Sequence, residues 1–544
     1  MLTYNQNSAP KRKDRPWLLV ILVIIWIIGA AVFHSPWEPH EPFVFAVVKG
    51  IIYNHSWLVP YISGAPYLQI QPFYFWLYSA IIKLFNIHNI YSIANSVRVV
   101  NILFTLSVIA LSAKIGSNLL AYKNGRTVVL VLISSVGFIN NSYQLTPNMI
   151  VLLGFCLYIY SLQLYQRLPG ISGWILFVGL LLISIHFTCE FILIALLILA
   201  ILPLIDKHWR NKDYLITVLI GVSLFAIIFY LYSYQLQSVN KEFFLQWKQR
   251  YTALYNVNHK GILKQLLETV SLLLWYLVPS WTLAIWTFYK HRKTIFKDKI
   301  IQVNVMLVIL LFLVTLISGK SVEGMIFPII LPFTFIASIA IDSMRISIVA
   351  LFNWFCIFLF GIVGIGIWII YFGFIFRVNN DLLNRALQLS QDFVYNFNIW
   401  QLMLAVIITL IWVFMITRRH IRGREMVTNW ASGTTFVLVL FMALLLPWFD
   451  SILTFKPIVT ESLKHLDLDA CVATNGENTP QGALWYYYAD VNLMPSFINI
   501  NYSICNQALV ATRDIHQIDQ NIWQIIWQAN RPIDNNVYYV LKRR

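Results

Sequence analysis

Charged residues are scarce in this chain. Asp, Glu, Lys and Arg make up 11% of its 544 residues, whereas soluble globular domains carry about 25%. Hydrophobic residues reach 59%, and the mean hydropathy is +0.69. These values exclude an ordinary soluble domain and indicate an integral membrane protein.

The chain also lacks the common signatures of soluble enzymes. It has no phosphate-binding P-loop, no dinucleotide-binding glycine pattern, no zinc-type Cys-x-x-Cys pair and no nucleophile elbow. No carboxylate cluster in the sequence is dense enough to demand a metal. Candidate chemistry therefore rests on polar residues at the membrane boundary.

Acidic residues are outnumbered by basic ones, with 23 Asp and Glu against 39 Lys and Arg, which gives a formal net charge of +16. A basic surplus can indicate a nucleic-acid partner. Here, however, the basic residues fall in clusters between apolar runs, at 11–15, 114–126, 207–212, 290–299 and 418–424. Such clusters retain loops on the cytoplasmic side of a membrane. The clustering of basic residues therefore predicts no nucleic-acid partner. It indicates instead which loops lie on the cytoplasmic side of the membrane.

A hydropathy window of about 19 residues predicts about thirteen spans. They cover 17–33, 99–119, 127–143, 148–165, 172–187, 189–205, 214–235, 266–288, 300–317, 323–341, 346–372, 399–417 and 430–449. The first is predicted to be an anchor, since no small-residue cleavage site follows it. The N-terminus then lies in the cytoplasm, and the outward loops lie at 34–98, 140–147, 236–265, 318–322 and 373–398.

The first outward loop, 34–98, is predicted to contain juxtamembrane helices. The apolar run 73–85 is too short for a span of about 20 residues. If it crossed the membrane, the basic cluster at 114–126 would lie outside. We therefore expect a helix there that lies on the outer face or re-enters the membrane.

Residues 450–544 change in character and are predicted to form a small α/β domain outside the cytoplasm, after a membrane domain at 1–449. Strand-like runs occur at 470–474 and 537–541. Of five cysteines, three lie in apolar spans, where packing is the simpler interpretation, and Cys471 and Cys505 lie in this domain. In an oxidising compartment we expect a Cys471–Cys505 disulfide.

The order of motifs around the outward loops resembles the bacterial transferases similar to protein O-mannosyltransferases. In pattern the sequence is most similar to the enzymes that move aminoarabinose from undecaprenyl phosphate onto lipid A. The motifs are the acids Glu38 and Glu41, Trp57-Leu58-Val59-Pro60, Gly64-Ala65-Pro66-Tyr67, Pro72, Trp76-Leu77, Arg98, Thr146-Pro147-Asn148-Met149, Gly319-Lys320-Ser321 and Glu323-Gly324-Met325-Ile326-Phe327-Pro328.

This resemblance implies an α-helical polytopic GT-C fold with about thirteen transmembrane helices and a C-terminal periplasmic α/β domain. It implies a polyprenyl-phosphate-linked sugar donor within the membrane lipid, and lipid A or another envelope glycan or protein as acceptor. The location implied is the inner membrane of a Gram-negative bacterium. No cofactor is implied with certainty, and a divalent metal stays open.

Several positions depart from the family pattern. An Asp-Glu pair is replaced by His40-Glu41, and the arginine expected two positions later is Phe43. Glu-Lys-Pro-Pro is replaced by Gln69-Ile70-Gln71-Pro72, the aspartate of the second outward loop by Asn148, and a later tyrosine by Met325. Half of the expected polar constellation is neutral.

Transfer of a sugar from a polyprenyl phosphate requires that the leaving phosphate be stabilised, and it requires a base only if the acceptor is a hydroxyl. An acceptor phosphate is already ionised. Glu41 and His40 are the candidate catalytic residues, as base or orienting group. The candidate substrate-binding residues are Glu38, Gln69, Gln71, Arg98, Asn148, Lys320 and Glu323, and further cations in the loop at 236–265 are Lys241, Lys248, Arg250, His259 and Lys260.

Each candidate also has a simpler interpretation. Glu38 and Glu41 sit where acids cap a helix, and Arg98 sits where a snorkelling anchor is common. His186 and Glu190 flank an outward turn. Ionisable residues at membrane depth are candidates for a functional site, but exposure of this turn to water explains their presence equally simply.

Three functions remain open on sequence alone. The first is a glycosyltransferase. The second is a non-catalytic relative that binds polyprenyl-linked lipids during envelope assembly. The third, a lipid transporter, is disfavoured because the chain shows neither a nucleotide site nor an inverted repeat.

Overall fold

The computed structural model describes residues 17–544 except 31–33, 120–124, 254–260, 294, 318–321, 340, 379–380, 391–392, 418–423, 469, 476–478, 492, 497–499, 513–517, 532 and 535. These residues form a helical membrane part followed by a small sheet domain. The predicted class, a polytopic helical protein with a C-terminal α/β domain, agrees with this architecture.

The first half of the chain is helical throughout. Its helices are α1 (Trp17–Ala30), α2 (Glu41–Asn54), α3 (Pro72–Leu84), α4 (Ile93–Asn118), α5 (Gly125–Ser134), α6 (Val136–Tyr143), α7 (Asn148–Leu164), α8 (Pro169–Ile183), α9 (Glu190–Ile205), α10 (Lys212–Val239), α11 (Lys241–Tyr251) and α12 (Ile262–Tyr276). A short hairpin, β1 (Tyr61–Ile62) with β2 (Ala65–Pro66), separates α2 from α3. The helix predicted at 73–85 is present as α3.

The second half continues with α13 (Ser280–His291), α14 (Lys299–Ile317), α15 (Val322–Ile326), α16 (Ile330–Ile339), α17 (Ile346–Phe376), α18 (Asp381–Gln388), α19 (Ile399–Thr417), α20 (Glu425–Leu444) and α21 (Leu446–Leu453). Among the described residues, six helices are long and apolar enough to cross a membrane, and eight spans result if two bent helix pairs each count once. The chain is a multi-pass membrane protein, and thirteen spans are not confirmed.

Two predicted spans are wrong in their continuity. The span at 266–288 is divided into α12 and α13, which are bent by 95°. Pro279 lies at the break, where its missing N–H cannot join a helical hydrogen bond. The span at 127–143 is divided into α5 and α6 at Ser135, whose hydroxyl donates to Val131 O at 3.0 Å and so competes with the helical pattern.

Close helix packing depends on small residues, as is usual where lipid and side chains are equally apolar. Between α17 and α20, a Cβ at Gly433 would lie 2.1 Å from Cδ2 of Phe360, and one at Gly364 would lie 2.5 Å from Phe436. Any larger side chain would separate these two helices.

The C-terminal domain contains α22 (Lys456–Leu463), β3 (Val472–Asn475), α23 (Pro480–Ala489), β4 (Leu493–Ser496), β5 (Gln507–Thr512), β6 (Trp523–Asn530) and β7 (Val537–Arg543). The strand order is β4-β3-β5-β7-β6, with β3 parallel to β4 and β5 and with β7 antiparallel to β5 and β6. The strands predicted at 470–474 and 537–541 are confirmed as β3 and β7. Alternating apolar residues of the sheet bury Leu509 and Tyr538 against α22 and α23.

Candidate functional site

Glu41 begins α2 and forms a buried ion pair with Arg98 of α4. Arg98 Nη2 donates to Glu41 Oε2 at 2.8 Å, and the two side chains are 6% and 8% exposed. The backbone N–H of Trp37 donates to the same carboxylate oxygen at 2.9 Å. Burial raises the pKa of Glu41, and the positive charge of Arg98 opposes part of that rise. The carboxylate is thus already engaged inside the protein.

Arg98 is also engaged by the chain that leads into α2. Its Nη1 donates to the backbone oxygen of His34, and its Nη2 donates to Ser35 O at 3.2 Å. Burial and the neighbouring Arg98 lower the pKa of His34 to about 3, so this imidazole is neutral at physiological pH. Arg98 therefore holds the first outward loop against α4.

Asp450, at the end of the last membrane helices in α21, contacts the same segment. Its Oδ1 accepts from the backbone N–H of Ser35 at 3.1 Å, from the Ser35 hydroxyl, and from Trp37 Nε1 at 2.8 Å. Sequence analysis missed this role. The only signal was a lone acid directly after the final apolar run.

Glu38 is directed away from α4 and toward the C-terminal domain. Arg531 Nη2 donates to Glu38 Oε2 at 2.9 Å, and Arg531 Nε donates to Asp534 Oδ2 at 2.6 Å. Burial raises the pKa of Glu38, and Arg531 opposes this rise. Glu38 thus makes an ion pair between domains.

His40 is the third ionisable residue of this motif and differs from the two acids. It is exposed at the N-terminus of α2, and no hydrogen bond or ion pair of its side chain occurs among the described residues. Partial burial by the surrounding protein lowers its pKa below the ordinary 6.5. Of the two predicted catalytic residues, His40 has the side chain that is accessible to a ligand, whereas the Glu41 carboxylate is buried.

The two glutamines of the first loop have different environments. Gln69 is exposed, whereas Gln71 is buried and its Oε1 accepts a hydrogen bond from Trp247 Nε1 at 2.9 Å. Trp247 stacks on Tyr251 with ring centroids 5.6 Å apart. The hydrogen bond between Trp247 and Gln71 therefore holds α11 against the start of α3.

Arg250, on the same helix α11, is exposed and lies close enough to Tyr67 for its charge to lower the pKa of that phenol, which burial raises. Burial also raises the pKa of Tyr74, with further contributions from Tyr67 and Glu41. Arg250 forms no ion pair with any acid in the described chain.

Lys320, predicted to hold phosphate, lies outside the described residues. Its neighbour Glu323 in α15 is half-buried, and its Oε1 accepts from Asn140 Nδ2 at 2.7 Å. Asn140 Oδ1 in turn accepts from Gln144 Nε2 at 3.1 Å. Glu323 therefore lies in a group of amides, which the sequence did not indicate.

Asn148, at the start of α7, continues this group of amides. Its Nδ2 donates to Asn141 Oδ1 at 2.7 Å, and Asn141 Nδ2 donates to the Tyr276 hydroxyl. Asn148 is 7% exposed, and its Oδ1 has no hydrogen-bond partner in the described part of the chain. Asn101, one turn after Arg98 on α4, donates to Ser142 O at 2.7 Å and so joins this group to α4.

In the described ranges, no group of three or more His, Cys, Asp or Glu side chains is arranged to hold a metal ion. Glu41 and Glu38 are instead engaged by arginines, and Glu323 by an amide donor. These described acids therefore do not form a site for a divalent metal.

Cys471 and Cys505 are joined in a disulfide, with Cα atoms 5.1 Å apart. The bond connects the residue before β3 to the residue two positions before β5. The other three cysteines are buried and take part in no disulfide.

The fold matches that of solved membrane-protein structures, in agreement with the fold that the resemblance predicted. The particular structures that match are of ArnT from Cupriavidus metallidurans. ArnT bound to undecaprenyl phosphate has a TM-score of 0.69 and 12% sequence identity, over 96% of this chain and 98% of that chain. ArnT in the apo state has a TM-score of 0.68 and 11% identity, over 96% and 97%.

No family model and no curated protein matches this sequence significantly. At 11–12% identity, the two structures show the fold.

Proposed function

We propose that this protein is a membrane glycosyltransferase that transfers a sugar from a polyprenyl-phosphate-linked donor to an acceptor at the outer face of the membrane. The observation that carries the proposal is the match over 96% of the chain to an ArnT structure bound to undecaprenyl phosphate. A fold alone does not fix an activity. The residues of the first loop and of α11 supply the additional argument.

The leaving phosphate requires a cation, and Arg250 is the best-placed candidate among the described residues. It is exposed, lies beside Tyr67 and has no acid partner. A guanidinium binds a phosphate through two parallel N–H donors, which stabilises charge as the sugar–oxygen bond breaks. Lys320 is proposed as a second cation on the strength of the resemblance.

His40 is proposed as the base, and Glu41 is proposed to hold the start of α2, and with it His40, in place through its ion pair with Arg98. With a hydroxyl acceptor, the acceptor oxygen bonds to the anomeric carbon, and its proton passes to a ring nitrogen of His40. The bond from that carbon to the phosphate oxygen breaks, and the polyprenyl phosphate leaves with its electron pair. With a phosphate acceptor no proton is moved, and His40 acts only in orientation.

The sugar is proposed to bind to neutral polar groups and one acid. Gln69 is exposed, Asn148 Oδ1 accepts no hydrogen bond among the described residues, and Glu323 is half-buried. Amide and carboxylate oxygens accept hydrogen bonds from sugar hydroxyls. The roles of Gln71, Glu38 and Arg98 are proposed to be structural, since each side chain is engaged by a protein partner.

The acceptor is proposed to be lipid A or another envelope glycan or protein. The proposed location is a bacterial inner membrane, with the N-terminus in the cytoplasm and the C-terminal domain in the periplasm. Support comes from the cytoplasmic clustering of basic residues. The Cys471–Cys505 disulfide also supports an oxidising compartment for residues 450–544.

A lipid-binding protein without transferase activity is the second candidate. It is favoured by the uncharged residues Gln69, Ile70 and Asn148, which replace an acid, a lysine and an aspartate of the family pattern, and by the engagement of Glu41 by Arg98. Such a protein would bind the lipid phosphate and transfer no sugar.

Binding of undecaprenyl phosphate to the purified protein in nanodiscs tests the donor site. We expect Arg250→Gln to raise the dissociation constant, measured by native mass spectrometry, by roughly tenfold, because the variant loses one charge-assisted hydrogen-bonding contact to the phosphate. Lys241→Gln is the matched control. It removes the same charge from the same helix nine residues away, on the opposite face of α11 at about 100° per residue.

Equal binding by wild type, Arg250→Gln and Lys241→Gln would contradict the assignment of Arg250. No binding by any of the three would contradict the proposed donor class.

A further inference from the structure

The segment that leads into α2, residues 34–41, is held from two regions that lie far apart in the sequence. From α4, Arg98 donates to the backbone of His34 and Ser35 and to Glu41. From α21, Asp450 accepts from Ser35 and Trp37. This lead segment carries His40, so its position decides where that imidazole points.

A third hold comes from the C-terminal domain. Arg531 donates to Glu38 from a side chain that is 9% exposed, against 21% for Glu38. Its remaining donors go to Asp534 Oδ2 and, at 3.0 Å, to Leu453 O, and its guanidinium lies 5.0 Å from the ring centroid of Phe455. These contacts within the C-terminal region hold the Arg531 guanidinium in position, independently of its ion pair with Glu38.

Tyr488 of α23 also lies near this region. Burial raises the pKa of Tyr488, and the charges of Asp450, Arg98 and Glu41 contribute to the shift. Tyr487, the preceding residue, accepts a hydrogen bond from the backbone N–H of Ala94 at 3.3 Å, at the start of α4. The C-terminal domain thus reaches both the lead segment and the helix that carries Arg98.

We propose that the C-terminal domain positions the lead segment through the Arg531–Glu38 ion pair, with Arg531 as a positioning residue for His40. This inference rests on the proposed function, because His40 matters only if the first loop meets the donor. The C-terminal domain is then part of the site, and is more than a separate module attached to it.

The physical reason is the position of Glu38, two residues before His40 and three before Glu41. Arg98 fixes the segment at residues 34, 35 and 41, Asp450 holds Ser35 and Trp37, and among the described ion pairs only that with Arg531 engages Glu38. Removing one partner of a buried ion pair leaves the other charge uncompensated. The turn at 38–40 would then lose its fixed conformation.

A second docking contact offers a matched control. Lys49 of α2 pairs with Asp490 at 2.7 Å and donates to Tyr487 O at 2.9 Å. This contact also joins α2 to the C-terminal domain, but it does not touch residues 34–41. Lys49→Met therefore weakens docking without removing a partner of the lead segment.

The test is hydrogen exchange of a peptide covering 34–41 in the full-length protein in nanodiscs. We expect Arg531→Met and Glu38→Gln each to speed exchange of this peptide by about tenfold, and Lys49→Met to leave it unchanged. The double variant should exchange no faster than either single variant, because both remove one interaction. Glu38→Gln leaves the fold of the C-terminal domain intact, so it decides the outcome if Arg531→Met does not fold.

Unchanged exchange in Glu38→Gln would overturn the proposal, and so would equal acceleration by Lys49→Met, which would indicate general docking. Exchange does not depend on the substrate, so this result stands even if no transfer is found. Where transfer is found, we expect Glu38→Gln to lower kcat while the dissociation constant for undecaprenyl phosphate is kept, since Arg250 lies on another helix. If Glu38 only stabilised the fold, the substitution would not lower kcat while leaving the dissociation constant unchanged.

Discussion

At the residue scale, the two acids of the first motif act within the protein. Glu41 pairs with Arg98 and Glu38 pairs with Arg531, both largely removed from solvent. Replacing one partner of a buried pair costs about 3–5 kcal/mol of stability. A loss of activity in Glu41→Gln would therefore combine chemistry with folding. His40 is exposed, so its replacement separates the two.

The exposed imidazole of His40 predicts a pH dependence. If it takes the proton from a hydroxyl acceptor, its neutral form is active, and kcat should fall as the pH drops through its pKa. Partial burial lowers that pKa below 6.5, so the acid limb should lie below pH 6.5. We expect His40→Gln to lower kcat by about 10²–10⁴ and to remove the limb, as measured by a pH–rate profile.

His465→Gln is the control for this prediction. His465 is also exposed, but it lies in the C-terminal domain, near Trp527. It should leave the profile unchanged. An acid limb that persists in His40→Gln would assign it to another group.

Some of these residue roles could be predicted from the sequence and others could not. Glu41, Arg98 and His40 occur in a recognisable order, so their common neighbourhood was expected. The Arg531–Glu38 pair joins residues 493 positions apart, and neither spacing nor composition indicates it. The hydrogen bond of Gln71 with Trp247, 176 positions away, was hidden in the same way.

At the element scale, the existence of helices was easier to predict than their continuity. Apolar runs predicted α3, α7 and α14 with bounds within one residue of those in the structure, whereas α4 begins at Ile93, six residues before its predicted start. The breaks at Ser135 and Pro279 were missed, because a hydropathy average does not register a lost hydrogen bond. Asn148 and Glu323 were predicted as site residues. The other amides of this group, Asn140, Asn141 and Gln144, were not predicted, because α6, which carries the two asparagines, was expected to be part of a continuous span.

The packing of α17 on α20 gives a prediction at this scale. Gly433→Ala would place a methyl group 2.1 Å from Cδ2 of Phe360, and we expect it to lower the free energy of unfolding by about 1–3 kcal/mol. Thermal unfolding in detergent would measure the loss. Gly366→Ala, on α17 with no atom within 4 Å of its Cβ position, is the control and should change the free energy by less than about 0.5 kcal/mol. Equal stability of both variants would contradict the packing.

At the scale of the whole molecule, the sequence predicted a membrane protein with a C-terminal α/β domain, and the structure agrees. The C-terminal domain does more than follow the membrane part, since it contacts α2, α4 and the lead segment. The site that we propose is built from the first loop, α11 and the C-terminal domain together. The function proposed for it is transfer of a lipid-linked sugar at the outer face.

The most direct test of that claim is mass spectrometry of lipid A, core glycan and envelope glycoproteins from a deletion strain. The strain is complemented with wild type, Arg250→Gln or Lys241→Gln, expressed at equal levels. We predict a sugar that disappears on deletion, returns fully with wild type and Lys241→Gln, and returns weakly with Arg250→Gln, because Arg250 is the proposed phosphate ligand and Lys241 lies on the opposite face of α11. A glycan profile that is identical in all strains would contradict transferase activity and favour the lipid-binding alternative.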